Sequence, residues 1–235
     1  MTIFIDLQTG RVLHAVEGTA KEDLAPFLQK MAKRAKQLKA VSMDMSVSFS
    51  AAFKEYLPTV PVVFDRYHIM ALMSRQIDSL RCEQQRTLDS EGKSVLKGNR
   101  FFLLRNFHSL SEKHHCRLDT LLDANQPLFT MHAMKEQLRL FWEQGTRDRA
   151  DAFFKQWCFD ALMSGIKQFI SVGATILRHW NGLLDYYPHK ITKGPLEGLN
   201  NKIKTMKRQA YGFRDMEYFK LRLYDLHTTK YAFTG

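Results

Sequence analysis

The chain has 235 residues, of which 45% are hydrophobic, enough to bury the core of one domain or slightly more. Lysine and arginine number 35 against 24 acidic residues, so the formal net charge is +11, and a field of that sign attracts polyanions such as nucleic acids. No stretch approaches the roughly 20 apolar residues of a membrane helix, and the N-terminus lacks the basic segment of a secretory signal, so we expect a cytoplasmic protein without a membrane partner.

The first part of the chain has the pattern of an α/β fold. Residues 2–7 are mostly apolar, residues 8–10 form a turn signal, and residues 12–16 are apolar again, which together predict a β-hairpin. Thr19 followed by Glu22 resembles a capping box. Apolar residues then recur at helical spacing, so this segment predicts a helix of about four turns.

Two further predicted strands each end in an aspartate. Residues 40–43 are apolar and stop at Asp44, and residues 60–64 are apolar and stop at Asp65. A helical pattern lies between the two runs. Because ligands and chemistry gather at the carboxyl ends of strands in α/β sheets, these two acids are the leading site candidates in this part of the chain.

Residues 66–187 lose the alternating pattern and read as a long helical block. Breaks are expected at residues 91–92, 106–110, 125–127 and 145–146, which would give about five helices. The three cysteines are odd in number and far apart, so neither a disulfide framework nor a paired zinc motif is predicted. The run His114-His115-Cys116 lacks a partner cluster at ligand spacing, so we expect no metal there.

Residues 190–214 carry a concentrated positive charge. This window holds seven basic residues against Glu197 alone. Pro195 suits the first turn of a helix. One predicted face of that helix is apolar and comprises Leu196, Leu199, Ile203, Met206 and Ala210. The opposite face is polar and comprises Glu197, Asn201, Lys204 and Arg208.

Asp44, Asp65 and Glu197 together could form an all-oxygen site for Mg²⁺ or Mn²⁺, which take carboxylate, water and phosphate oxygens. Such a site performs phosphoryl transfer, with the basic face holding a nucleic-acid backbone. From spacing alone, purely structural roles remain open for all three acids. Asp44 could simply end a strand, Asp65 could cap the next helix, and Glu197 could offset its basic neighbours.

Three strings carry a resemblance to a known family. They are Val-Ser-Met-Asp44-Met, Val-Val-Phe-Asp65-Arg-Tyr-His68, and Gly194-Pro-Leu-Glu197-Gly-Leu-Asn-Asn-Lys-Ile-Lys-Thr-Met-Lys-Arg followed by Ala210-Tyr-Gly-Phe-Arg214. They resemble bacterial insertion-sequence transposases of the DDE class, specifically the ISL-three group, and the last string is the most specific. The resemblance extends over nearly the whole chain.

This resemblance implies an α/β (α+β) fold with a ribonuclease-H-like core that is interrupted by a long all-helical insertion. Residues 1–65 would form a partial core of hairpin, helix and two strands, and residues 66–187 the insertion. Residues 188–235 would form the core helices that carry the catalytic glutamate and the basic face. Asp44 and Glu197 match the family's catalytic acids, which bind Mg²⁺ or Mn²⁺ in a two-metal site.

The resemblance also implies accessory and DNA-binding residues. Asp65 and His68 match an Asp-x-x-His signature, and their i, i+3 spacing would place both on one helix face as a supporting pair or a DNA contact. The alternative for His68 is an ordinary helix-surface or core histidine. The residues expected to bind DNA are Lys202, Lys204, Lys207, Arg208 and Arg214.

One catalytic acid has no match. The family's first aspartate lies on a strand before the segment that resembles residues 2–7, so we expect an N-terminally truncated catalytic domain that lacks its first strand and has an incomplete metal site. Asp6 aligns with the end of the second strand and is not expected to replace it. The sequence therefore leaves open whether this chain is itself an enzyme.

Three functions follow for comparison. The leading hypothesis is a transposase catalytic-domain fragment that binds element ends and target DNA at the bacterial nucleoid but is impaired in catalysis. Its intact relative would hydrolyse a phosphodiester at the element's end and then use the freed 3′ hydroxyl for in-line attack on a phosphodiester of target DNA, whose own 3′ oxygen leaves. The second is a non-catalytic inhibitor that binds DNA, or dimerises with itself or a full-length transposase. The third is a general basic nucleic-acid binder.

Overall fold

The computed structural model describes residues 1–87, 100–105, 110–123, 125–191 and 194–226. In this part the protein is mixed α/β, mostly helical with two small sheets, as the composition and patterning predict. The strands are β1 (Thr2–Ile5), β2 (Val12–Val16), β3 (Val41–Met43) and β4 (Val62–Phe64). None of the described helices is long and apolar enough to cross a membrane.

The helices follow the strands in chain order. Those before residue 110 are α1 (Lys21–Ala32), α2 (Val47–Tyr56), α3 (Arg66–Thr87) and α4 (Arg100–Leu104). The next are α5 (Glu112–Asp123), α6 (Gln126–Arg139), α7 (Arg147–Met163) and α8 (Lys167–Arg178). The last are α9 (Trp180–Leu184), α10 (Tyr186–His189), α11 (Gly194–Gln209) and α12 (Met216–Asp225). Short 3₁₀ turns occupy Ala35–Gln37 and Leu140–Glu143.

The chain divides into two compact units. Unit 1 contains residues 1–62 and 190–235, and unit 2 contains residues 63–189. Unit 1 is therefore assembled from the two ends of the sequence, while unit 2 is one continuous segment.

The predicted hairpin opens unit 1. Strands β1 and β2 pair antiparallel, with Ile3 opposite Ala15 and Ile5 opposite Val12. An irregularity in the register between Phe4 and Ile5 lets Val12 and Ala15 share one face although they are three residues apart. The backbone closes the turn because the amide of Gly10, at φ 72°, donates to the carbonyl of Asp6 at 2.8 Å.

One face of this hairpin packs against the two C-terminal helices. A single buried cluster joins Val12 and Ala15 of β2 to an apolar stripe on α11 and another on α12. The other buried members of the cluster are Leu199, Ile203 and Met206 of α11, Phe219 and Leu223 of α12, and Leu226 directly after α12. Burial of apolar surface on this scale is the main source of stability for a small sheet, which is marginal by itself.

The opposite face of the hairpin packs on α1. The ring of Phe27 lies 4.5 Å from that of Phe4 and 4.7 Å from that of His14, the second pair being stacked. Burial is the main reason why the pKa of His14 is below its ordinary value. Helix α1 also contacts α2, where Lys21 forms an ion pair with Glu55.

The start of α1 differs from the predicted capping box. The helix begins at Lys21, and the amide of Ala20 donates to the Asp23 carboxylate at 2.9 Å. The prediction that Thr19 and Glu22 perform this role is wrong by one residue. The reason is local: Asp23 reaches back to the amide that precedes the first helical turn, so the alanine occupies the capping position.

The other two strands form the second sheet, β3 with β4. Both strands end at the predicted aspartates, and α2 lies between them in sequence, as expected. At the start of β3 the amide of Val41 donates to the carbonyl of Pro61 at 2.9 Å.

Unit 2 is helical throughout its described residues beyond β4. Trp157 of α7 lies in its core, with its indole nitrogen donating to the carbonyl of Met134 at 3.0 Å and its ring 5.1 Å from that of Phe169. Predicted breaks are present at residue 125, where Asn125 caps α6, and at residue 146, where Thr146 caps α7.

The helical block is more finely divided than predicted. Its described part already contains more than the five or so helices expected, because the segment after residue 146 is divided at Gly165, whose φ is 70°, and again at the single residues His179 and Asp185. Neither His179 nor Asp185 is a glycine or proline, so the sequence gives no break signal at those two positions. The break predicted at residues 91–92 and most of the one at residues 106–110 lie outside the described residues.

Candidate catalytic and nucleic-acid-binding site

Asp44 directly follows β3 in unit 1 and is half-buried. Its Oδ1 accepts a hydrogen bond from the amide of Ser46 at 3.2 Å, which orients the carboxylate in the turn before α2. Among the described residues, no partner contacts the second oxygen, Oδ2. The loop is held in turn by Ser48, whose hydroxyl donates to the carbonyl of Thr19 at 2.9 Å. Asp44 therefore presents one carboxylate oxygen from a fixed loop.

Asp65 and His68 form a pair at the start of α3. Asp65 Oδ1 accepts from the amide of Tyr67 at 3.1 Å, so the aspartate caps the helix. Its Oδ2 lies 3.8 Å from Nε2 of His68, one turn further along the same helix face. Asp65 thus has the structural role that the sequence left open. The same geometry also places the two side chains of the Asp-x-x-His signature together.

Asp6 is occupied by the hairpin turn. Its Oδ1 accepts from the amide of Gln8 at 2.8 Å, and its Oδ2 accepts from the hydroxyl of Thr9 at 2.9 Å. The amide of Gln8, and next the hydroxyl of Thr9, lower the pKa of the carboxyl by favouring its charged form. Both oxygens therefore stabilise the turn, which agrees with the expectation that Asp6 is not the missing acid.

Glu197 lies in the first turn of α11, which belongs to unit 1 together with Asp44. Its side chain lies outside the part of the chain that the structure describes. Asp65 and His68 belong to unit 2. Among the described residues, no group of three or more histidine, cysteine, aspartate or glutamate side chains could hold a metal ion.

Helix α11 separates an apolar face from a basic one, as predicted. Leu199, Ile203 and Met206 are buried in the cluster beneath the hairpin. Ala210 is exposed, so its predicted place in the buried stripe is wrong. The reason is that the helix ends at Gln209, and the stripe ends with it. Leu196 has no described side chain.

The predicted DNA-binding cations are all exposed to solvent. They are Lys202, Lys204, Lys207 and Arg208 on α11 and Arg214 after it. In the described part of the chain, no carboxylate forms an ion pair with any of these five. The ammonium of Lys207 lies 4.8 Å from the ring centroid of Phe219. Phosphate binding by these side chains would therefore break no salt bridge that the described residues form.

Helix α12 is attached to the hairpin by polar contacts as well as by the core. The amide of Ala15 donates to the hydroxyl of Tyr224 at 3.2 Å. Lys220 bridges Glu17 at 3.0 Å and Glu217 at 2.7 Å. Because α11 packs in the same cluster, these contacts help to fix the surface from which its basic face projects.

The sequence did not single out Tyr211, which follows α11 with its ring in solvent and its backbone in the left-handed region at φ 50°. The available signal was a Tyr-Gly pair directly after the last turn of a basic helix. Such a pair is also typical of an ordinary helix end, because glycine is common just past the last turn.

A family model and two curated transposases that match most of the chain indicate one family. A family model for DDE transposases of the ISL-three group, described as a transposase, matches residues 1–223. The transposase for insertion sequence element IS1001 of Bordetella parapertussis is 32% identical over 226 residues, covering 94% of this chain and 56% of that protein. The transposase for insertion sequence element IS1557 of Mycobacterium tuberculosis is 25% identical over 238 residues, covering 91% and 53%.

The extent of these matches defines what they support. The chain spans about half the length of the two transposases. A shorter segment of 57 residues is 46% identical to an ATP-dependent protease of Lactococcus lactis, covering 23% of this chain and 18% of that protein. No solved structure matches. Because the family model covers almost the whole sequence, the chain belongs to the transposase family of insertion sequences, in the ISL-three group of the DDE class.

Proposed function

We propose that this chain is the catalytic-core part of a DDE transposase and acts in DNA transposition. The observation that supports it most is the content of unit 1, where a strand-end carboxylate, Asp44, occurs with the helix that carries Glu197 and a row of exposed cations. Unit 1 would be the ribonuclease-H-like core. Unit 2, residues 63–189, would be the helical insertion for which the resemblance implied residues 66–187.

Asp44 and Glu197 would hold Mg²⁺ or Mn²⁺. Both are hard oxygen donors of the kind these ions select, and Oδ2 of Asp44 has no partner among the described residues. When bound, the metal pair of such a site activates the attacking hydroxyl and stabilises the leaving oxygen of a phosphodiester. The protein's own part is to hold Asp44 through the Ser46 amide and to supply Glu197 from the start of α11.

Asp65 and His68 would support this chemistry without binding the metal. Asp65 is committed to the cap of α3 and to its contact with His68. The imidazole is partly exposed and can donate a hydrogen bond to a phosphate or hold a ligand in position.

DNA would bind along the basic face of α11. Lysine and arginine side chains that neutralise phosphates release condensed counterions, which gives sequence-independent affinity that falls with salt. The five cations are exposed and free of described ion pairs, so their charge is available. We expect the 235-residue chain by itself to bind DNA and to be impaired in cleavage, because only two of the three acids implied by the family are assigned to it.

The metal assignment is tested by Mn²⁺ binding, followed by calorimetry or by the loss of the free-ion spin-resonance signal. We expect Asp44→Asn and Glu197→Gln each to weaken Mn²⁺ binding at least tenfold, about 1.4 kcal/mol, with no loss of DNA affinity in the absence of metal. A matched acidic control is Asp148→Asn on α7 in unit 2. Unchanged Mn²⁺ binding in both site variants would contradict the assignment.

The DNA assignment is tested by reversing charge on the exposed face. The double change Lys204→Glu with Arg208→Glu should weaken duplex binding regardless of sequence and reduce the slope of log Kd against log salt by about 2. The matched control reverses Lys33 and Lys36, which are exposed in unit 1 outside α11 and alter the net charge equally. Equal losses in the two double variants would show that only net charge matters.

A second candidate is a non-catalytic inhibitor, which would occupy DNA ends or pair with itself or a full-length transposase. The basic face favours it, since all five cations are exposed and binding phosphates through them requires no catalytic acid. Under this alternative, wild type and Glu197→Gln bind DNA equally, neither releases a cut product in Mn²⁺, and added chain reduces cleavage by a complete relative.

A further inference from the structure

A tyrosine, Tyr211, occupies the left-handed position that ends α11, where glycine is more common. The amide of Gly212 donates to the carbonyl of Lys207 at 2.9 Å, and the amide of Tyr211 donates to that of Arg208 at 3.1 Å. This is the Schellman pattern of helix termination, which needs one residue in the left-handed conformation. That residue is Tyr211, at φ 50°. Glycine is the usual choice, since a side chain is disfavoured there.

The side chain of Tyr211 makes no contact with the described residues that would offset the cost of its left-handed backbone. Its side chain is 100% exposed, so it buries no apolar surface. Phe213, two residues later, instead packs into unit 1, with its ring 4.8 Å from that of Phe219. The position therefore carries a large aromatic ring where a glycine would close the helix at least as well. A residue that costs folding free energy and whose side chain contacts none of the described residues is expected to act on something outside the chain.

The charge around the ring indicates what it contacts. Lys207 and Arg208 precede Tyr211 and Arg214 follows it, all exposed. The two carboxylates that come next are engaged: Asp215 accepts from the amides of Glu217 and Tyr218, and Glu217 pairs with Lys220. An aromatic ring among available cations is the arrangement that proteins use to stack a base while they hold its backbone.

We propose that Tyr211 stacks on an unpaired nucleobase of DNA whose phosphates are bound by Arg208 and Arg214. This inference rests on the proposed function and adds a substrate class to it: DNA with an unpaired base at a strand end or beside a cut. Every base has an apolar face, so the contact is tolerant of sequence but not of pairing within a blunt duplex. Tyr211 directly follows the last turn of α11 and so lies at the end of the basic face.

The test uses Tyr211→Gly, which the helix end should accommodate. We expect the variant to unfold at the same temperature as wild type or about 2–4 °C higher. In fluorescence anisotropy with a labelled single-stranded 30-mer, its affinity should fall about tenfold, while affinity for the blunt duplex of the same sequence changes less than twofold. Tyr211→Phe should bind like wild type, since it keeps the ring. The control is Phe159→Ala, which removes a ring 59% exposed on α7.

The outcomes separate this inference from the proposed function. If Tyr211→Gly leaves single-stranded affinity unchanged while the Lys204→Glu, Arg208→Glu double variant loses duplex binding, the stacking contact is wrong and the DNA-binding face stands. Equal losses on single-stranded and duplex DNA, or a loss in Tyr211→Phe as large as that in Tyr211→Gly, would also overturn the stacking contact. If the wild-type chain binds neither probe, the proposed DNA-binding function itself fails.

Discussion

Two aspartates of unit 1, Asp6 and Asp44, show how similar sequence contexts lead to different roles. Both follow a strand, yet Asp6 gives both carboxylate oxygens to its turn, and Asp44 gives only Oδ1. We expect Asp6→Ala to lower the free energy of unfolding by about 1 kcal/mol, as the loss of local capping contacts does, and to leave Mn²⁺ binding unchanged. Asp44→Asn should weaken Mn²⁺ binding and leave the free energy of unfolding nearly unchanged. Urea unfolding and calorimetry of both variants check the contrast, and a loss of Mn²⁺ affinity in Asp6→Ala would contradict it.

A second residue-scale prediction concerns His132, which is 4% exposed on α6 and has an unpartnered Nε2 among the described residues. Burial, followed by the charge of Lys135, lowers its pKa to about 4. In the unfolded chain a histidine titrates near about 6.5, so the unfolded state takes up the proton first as the pH falls. The contribution of neutral His132 is therefore complete above about pH 6.5 and is lost towards about pH 4, by about 3 kcal/mol at most.

The measurement compares unfolding by urea near neutral pH and near about pH 4.5. The wild type should lose more stability over this interval than His132→Gln, because the variant has no proton to take up at this position. A wild type and a His132→Gln variant with parallel pH profiles would show that His132 is not responsible.

At the scale of elements, α12 decides the stability of unit 1, because its buried residues close the cluster between the hairpin and α11. Leu223 is 0% exposed, and Leu221 on the same helix is 65% exposed. Leu223→Ala should lower the free energy of unfolding of this unit by about 2–5 kcal/mol, through lost burial and the cavity left behind. Leu221→Ala should change it by no more than about 0.5 kcal/mol. Similar effects of the two substitutions would contradict the role of the cluster.

Some features of these elements are predictable from the sequence and others are not. Strand ends at Asp44 and Asp65 and the two faces of α11 follow from apolar periodicity, because burial imposes that period. The predicted capping box of α1 was wrong, since Asp23 and not Glu22 accepts a hydrogen bond from the amide before the helix. Which of two neighbouring side chains accepts such a hydrogen bond depends on the local backbone geometry, and hydrophobic periodicity does not predict it. The exposure of Tyr211 was missed for the same reason, as only the three-dimensional helix end shows that its ring has no described contact.

For the whole molecule, the presence of two units predicts that a core substitution in one unit destabilises that unit and not the other. Local patterning predicted the helical block at residues 66–187, but only the resemblance implied that the segments before and after it share a core, because nothing in local patterning says that distant ends pack together. We expect Leu223→Ala to increase amide hydrogen exchange in the hairpin, α11 and α12 and to leave α7 and α8 protected. Phe154→Ala, in the core of unit 2, should give the opposite map. Uniform loss of protection in either variant would show one cooperative structure.

The hydrogen bond between the amide of Ala15 and the hydroxyl of Tyr224 joins residues 209 positions apart. During synthesis, the ribosome makes about 5–20 residues per second, so the hairpin waits about 10–40 s before its partner helix emerges. For that time the apolar face of Val12 and Ala15 has no α12 to cover it, while the continuous helical segment can already fold behind it. The order of translation thus leaves the apolar face of the hairpin accessible to chaperones, proteases and neighbouring chains until α12 emerges.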